Sequence, residues 1–198
     1  MSHILSMLSG MVPGVILILA VAAILSRVFR HSAPTPLHTV GALLYAIVVT
    51  AVLSVTGVPG LPFLRFHPVT AFVPFYDIGN NTIQYVQNIL LFLPLGFLLP
   101  TLWIPFRRAW RTVLFGAVFS CAIEASQLFC YRSTDLDDVL MNTLGAFLGF
   151  LLFRLMRRLP LFRRCFSSAS SARAQPVLLL LAAWAVMFLV QPYLEQLL

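Results

Sequence analysis

Six apolar runs constrain this chain more than any other feature, because each is close to the ~20 residues that carry a helix across ~30 Å of hydrocarbon. They lie at about 4–26, 39–57, 84–104, 112–131, 139–156 and 176–194. Such segments cannot all be folded away from water in a soluble core. Of the 198 residues, 60% are hydrophobic and 10% charged, where soluble domains carry roughly 25% charged residues. The expected fold class is all-α, a polytopic transmembrane helix bundle of about six spans.

Charge then orients the bundle. All 13 basic residues are arginine. The segments after spans one, three and five hold Arg27, Arg30, Arg107, Arg108, Arg111, Arg154, Arg157, Arg158, Arg163, Arg164 and Arg173, whereas those after spans two and four hold Arg65 and Arg132 with Asp77, Asp135, Asp137 and Asp138. The positive-inside rule therefore predicts both termini outside. A net charge of +7 would otherwise suggest nucleic-acid binding. Its placement between apolar runs reads instead as a topology signal, and a basic face beside a bilayer attracts anionic headgroups.

No positive residue precedes the first apolar run, so the N-terminus reads as a membrane helix and not as a cleavable signal peptide. The chain divides into an N-terminal transmembrane helix with its cytoplasmic loop (1–38), a four-helix membrane domain (39–156), and an Arg/Ser-rich linker with a C-terminal transmembrane helix (157–198). Ser167 to Ala174 reads SSASSARA, a low-complexity polar link that sets the last span apart. In the outer loop of about 58–83, prolines alternate with Phe63, Phe66, Phe72, Phe75 and Tyr76. Proline forbids a continuous helix there, and aromatic rings favour the headgroup level, so this segment is expected on or in the outer leaflet.

Cys121, Cys130 and Cys165 form neither a disulfide framework nor a zinc spacing. His3, His31, His38 and His67 are scattered, and no catalytic serine motif, P-loop or Cys-His pair is present. Glu124 is the residue that most needs explaining. It is the sole acid inside a predicted span, where a carboxyl costs about 2.5–3.5 kcal/mol to insert. Seven residues from Tyr131, it should lie roughly 10 Å below the outer surface, where desolvation favours its protonated form.

Ser120, Glu124, Gln127 and Tyr131 follow at helical spacing and share one face of span four. Beyond them the outer loop carries Arg132, Asp135, Asp137 and Asp138, with Asp137 or Asp138 suited to cap span five. On that span Asn142, Gly145 and Gly149 share a face, and the glycine pair permits close helix approach. Span three adds Gln84, Gln87 and Asn88 at its outer end, with Pro94 and Gly96 expected to loosen or kink it midway. Polar residues of three helices are thus expected to converge in the outer third of the membrane. Glu124 and Asp138 are the candidate acid and base should there be catalysis. Asn88, Gln127, Arg132, Asp135 and Asn142 are the candidate ligand-binding residues. Arg132 among the carboxylates argues against a divalent cation, and no metal or cofactor is expected.

The ordered string NILLFLPLGFLLP at 88–100, E-x-x-Q at 124–127 and R-x-x-D-x-D-D-x-x-x-N-x-x-G-x-x-x-G from Arg132 to Gly149 resembles the VanZ-like family of bacterial membrane proteins, over roughly residues 40–156. The segment TAFVPFYDI is similar to the family's N-L-I-P-F element, with Ala71, Phe72 and Val73 in place of its first three residues. The resemblance implies a multi-pass protein of the bacterial cytoplasmic membrane and a link to teicoplanin-type glycopeptide resistance. It implies no reaction.

Three readings of function follow. In the first, the outer-leaflet site meets membrane lipids, a lipid-linked glycan or a lipoglycopeptide. In the second, the chain is a non-catalytic structural or accessory protein whose buried polar residues only hold helices together. A third, a solute carrier, would need an inverted repeat and a path to both faces, and the apolar inner halves of the spans offer neither.

Overall fold

The computed structural model describes residues 16–25, 27–29, 35–66, 70–71, 78–130, 134–160, 166–190 and 192–193. The fold is mostly helical. In chain order it comprises α1 (Ile16–Leu25), α2 (Pro36–Thr56), α3 (Ile78–Leu102), α4 (Ala109–Gln127), α5 (Leu136–Met156) and α6 (Ala174–Leu189). Three-residue and four-residue 3₁₀ turns, Leu61–Phe63 and Ile104–Arg107, follow α2 and α3.

Among the described residues, three helices are long and apolar enough to cross a membrane: α2, the Thr82–Leu102 part of α3, and α5. The shorter apolar helices α1 and α6 are not of that length. The 19-residue α4 falls outside the set because Arg111, Glu124 and Gln127 dilute its apolar character. Three spans, not six, are therefore directly supported by length and composition, and both chain ends lie outside the described residues.

The helices start and stop where local chemistry dictates. Thr35 caps α2, its hydroxyl accepting from the His38 N–H, with Pro36 in the first turn. The same helix ends at Gly57, whose φ of 72° suits glycine and returns its N–H to the Leu53 carbonyl. Helix α3 runs on through Pro94 and Pro100.

Its partner is α5, and small residues set their separation. An added Cβ at Gly96 would meet the Ala146 backbone; one at Gly145 would meet Ile89, and one at Gly149 the backbone of Leu93, Gly96 and Phe97. The expected close approach at Gly145 and Gly149 is therefore made, and α3 is the helix that makes it. Gly149→Ala is expected to lower stability by about 1–3 kcal/mol, the scale of overpacking, read as a lower thermal midpoint in detergent. An unchanged midpoint would mean that the two backbones are not in contact there.

The main core lies among α2, α3 and α6, with Tyr45, Leu53, Phe92, Leu95, Leu99, Trp103 and Leu179 fully or almost fully buried. Helix α6 is not loosely appended. Ser170 donates its N–H to the Leu102 carbonyl at 2.8 Å and accepts from the Ile104 N–H at 2.9 Å, so the polar link is stitched to the end of α3. Ser168 and Ser170 are buried accordingly. Nearby, Arg107 donates to the Phe166 and Pro100 carbonyls, and burial, then the charge of Arg157, hold its pKa below the usual arginine value.

Two short segments outside the helices meet in a parallel ladder, β1 (Thr70–Ala71) beside β2 (Thr134–Asp135). The Arg65 N–H donates to the Phe129 carbonyl at 2.9 Å, and the rings of Phe66 and Phe129 lie 5.7 Å apart. In its described part, the proline-rich loop is thus joined to the turn between α4 and α5. Phe72, Phe75 and Tyr76 lie outside the described residues.

Candidate functional site

Helix α4 ends at Gln127, and the chain turns through Leu128 to Cys130. Glu124 therefore lies three residues from the helix end, roughly 5 Å along the axis, because the helix stops four residues short of Tyr131. Tyr131 and Arg132 lie outside the described residues. The chain then doubles back over the helix end. The Asp135 N–H donates to Glu124 Oε2 at 2.9 Å, and the Thr134 hydroxyl donates to the Glu124 carbonyl at 3.2 Å. At 4% exposure, Glu124 is buried beneath this crossing.

Asp135, not Asp137 or Asp138, caps α5: its Oδ1 accepts from the Asp137 N–H at 2.9 Å. The helix begins one turn earlier than the apolar run suggests, because acids in a first turn complement the positive end of the helix dipole. The next two aspartates are released for side-chain bonding to α3. Asp138 Oδ1 accepts from Asn88 Nδ2 at 2.6 Å and from Gln84 Nε2 at 2.9 Å, while Asp137 Oδ2 accepts from the Tyr85 hydroxyl at 2.6 Å.

One turn deeper on α5, Asn142 Nδ2 donates to Ser120 Oγ on α4 at 2.9 Å. Asn142 is 1% exposed, and its Oδ1 is buried with no hydrogen-bond partner among the described residues. Such an acceptor costs free energy until a donor reaches it. Gln127 turns elsewhere: its Nε2 donates to the Thr56 carbonyl at 2.9 Å and so satisfies the C-terminal end of α2.

The cluster therefore has a buried floor of Glu124, Asn142, Ser120 and Asp137, and a half-buried rim of Asn88, Asp135 and Asp138. Side chains from α3, α4 and α5 do meet near one end of the bundle. They meet as separate hydrogen-bonded groups and not as one converging set, since Glu124 bonds to the segment before α5, Asp137 and Asp138 to α3, and Asn142 to α4. The sequence singled out Asp137 only as a possible cap and left Tyr85 aside; the signal was present, because Tyr85 sits three residues before Asn88 on the same helical face.

A second buried polar cluster lies at the far end of α3, where no candidate was expected. The His38 Nε2 and Trp103 Nε1 each lie 3.0 Å from Gln175 Oε1, and the Tyr45 hydroxyl donates to the Pro176 carbonyl at 3.2 Å. The Trp103 ring stands edge-on to Tyr45 at 4.9 Å and to His38 at 5.7 Å. Because the Trp103 N–H can only donate, Gln175 Oε1 accepts from both rings, and Nε2 of His38 carries a proton. This cluster ties α6 to α2 and α3, which is why a histidine with no metal spacing is nonetheless fully buried.

Comparison with known proteins bears on the first cluster. A family model described as VanZ/LLP1 matches residues 15–157. Protein VanZ of Enterococcus faecium is 35% identical over 88 residues, which cover 43% of this chain and 52% of that relative. The chain thus spans about half the length of this curated relative. No solved structure matches.

Proposed function

The chain belongs to the VanZ/LLP1 family, and from that premise we propose a multi-pass bacterial membrane protein whose outer polar cluster binds the polar part of a cell-envelope ligand and lowers susceptibility to teicoplanin-type glycopeptides. In this reading α1 to α6 are the cores of six spans, the arginine-rich loops face the cytoplasm, and the Glu124 cluster opens toward the outer leaflet. Ligands of the right chemistry are a lipid-linked glycan or a lipoglycopeptide, each joining an apolar tail to a polar head.

The observation that carries the reading is the buried, unpartnered Oδ1 of Asn142 beneath a half-open rim of carboxylates and amides. A sugar hydroxyl or peptide N–H from the ligand would supply the missing donor. Asn88 and Asp138 form the rim that orients it, Asp135 holds the helix entrance, and Arg132 provides the charge for a phosphate or carboxylate. Glu124 and Asp138 already accept hydrogen bonds from the protein. That favours binding over acid-base chemistry at this site.

The test is tolerance. Expression in a glycopeptide-sensitive host is expected to raise the inhibitory concentration of teicoplanin more than that of a glycopeptide without an acyl tail. Asn142→Leu should cancel the gain, since it removes the acceptor and keeps the branched shape. No rise in tolerance from protein shown to be in the membrane would refute the reading. The structural alternative also has specific support, because the Asn142–Ser120 and Gln127–Thr56 bonds join helices. Under it, Asn142→Leu lowers folded yield and affects tolerance only in proportion.

A further inference from the structure

Lined by none of the side chains of either polar cluster, a groove of about 800 Å³ lies between α4 and α6. That is toward the upper end of the roughly 300–1,000 Å³ of small-molecule sites. Its wall is apolar along most of its length, with Leu114, Val118 and Ala122 from α4 and Val177, Leu181 and Trp184 from α6. Polarity is confined to one end, where Arg111 and Arg173 line it.

The two helices run the same way along this groove. Arg111 and Arg173 stand at their respective starts, and further along Phe119 meets Trp184 with ring centroids 6.1 Å apart. Ala122 lies eleven residues beyond Arg111, and Trp184 eleven beyond Arg173. At 1.5 Å per residue, either helix carries the groove about 16 Å from the arginine pair. Half of a ~30 Å hydrocarbon core is about 15 Å. The groove is therefore one leaflet deep, with its cations at headgroup level.

Trp110, largely exposed, sits at that same level, as interfacial aromatic residues do. The Arg111 guanidinium lies 5.2 Å from the centre of the Trp110 ring, and its Nη1 donates to the Pro105 carbonyl at 3.1 Å. The cation is thus aimed while its charge is left uncancelled. Among the described residues no acidic side chain lines the groove, and none neutralises the arginine pair there.

We infer that this groove seats an anionic membrane phospholipid, its phosphate between Arg111 and Arg173 and an acyl chain along α4 and α6 as far as Ala122 and Trp184. A single-chain apolar lodger would leave two cations uncompensated, and a soluble anion would leave an apolar trough one leaflet long empty. Only an amphiphile with a negative head satisfies both ends. The occupied leaflet is the one facing the arginine-rich loops, opposite the Glu124 cluster, so the two sites are independent.

Native mass spectrometry of the full chain in detergent, titrated with phosphatidylglycerol or with phosphatidylcholine of the same acyl chains, tests this. The wild type is expected to hold one phosphatidylglycerol at least about tenfold more tightly than phosphatidylcholine, the scale of a single charge-assisted hydrogen bond. Arg111→Gln with Arg173→Gln should erase that preference. Arg173→Gln alone, at an exposed position that cannot threaten folding, should reduce it. Ala122→Trp, which fills the deep end, should weaken both lipids.

Equal affinity for the two lipids in the wild type would overturn the inference. So would a preference that survives the double arginine variant, or a dimer mass that Ala122→Trp abolishes, which would make the groove a contact between two copies. Glu124→Gln should leave lipid binding unchanged, which keeps the outcome separate from that of the outer site.

Discussion

Replacing Glu124 by glutamine is expected to abolish glycopeptide tolerance while leaving the amount of folded membrane protein unchanged. The substitution keeps an oxygen where Glu124 Oε2 accepts the Asp135 N–H at 2.9 Å, so the chain can still fold back over the end of α4. What it removes is the ability to present a negative charge to a bound ligand. Glu124→Leu differs, because it strands the Asp135 N–H at a cost of about 1–3 kcal/mol. Folded yield should then fall together with tolerance. Inhibitory concentrations measured beside immunoblots of membrane fractions distinguish the two variants. Full tolerance in the glutamine variant would reduce Glu124 to a structural tie and favour the accessory-protein reading.

The largest stability effect is expected at the other end of the bundle. Trp103→Ala should destabilise the protein by about 3–5 kcal/mol, the range for deleting a buried aromatic ring. Trp103 is fully buried, touches Tyr45 and His38 edge-on and donates to Gln175. Its loss removes packing between α2, α3 and the start of α6 together with the donor to Gln175. Thermal unfolding in detergent measures it, with Trp103→Phe as the control that keeps a six-membered ring while losing the N–H and the smaller ring of the indole. A drop for Trp103→Ala no larger than that for Trp103→Phe would show that hydrogen bonding, not packing, holds the three helices together there.

The sequence made some features legible and hid others for physical reasons. Apolar runs located five of the six helices to within a few residues at most of their ends, because a bilayer or a helical core demands the same continuous hydrophobicity. Those runs could not fix the number of spans, since α4 mixes apolar turns with Arg111 and Glu124. The Gly145 and Gly149 spacing announced a close contact without naming its partner, which only the backbone of α3 at Ile89 and Leu93 identifies.

Within the site, the grouping of Asn88, Asp135, Asp138, Glu124 and Asn142 near one end of the bundle was readable from their positions along each run. Their pairing was not. Which aspartate caps α5 depends on where that helix begins, and Asp135, its cap, is itself paired in the ladder with Ala71, far away in the chain. The His38, Trp103 and Gln175 cluster left no sequence trace at all. Its members come from three separate stretches, and each alone is an ordinary residue beside an apolar run.

The parallel pairing of Thr70 with Thr134 has a consequence for biogenesis. Its two strands are separated in sequence by the whole of α3 and α4, so the first to leave the ribosome has no partner until both of those helices have been synthesised. The seam over Glu124 is then closed by the arrival of residues 134–135. A nascent chain halted within α4 would leave Thr70 and Ala71 without their pairing partner.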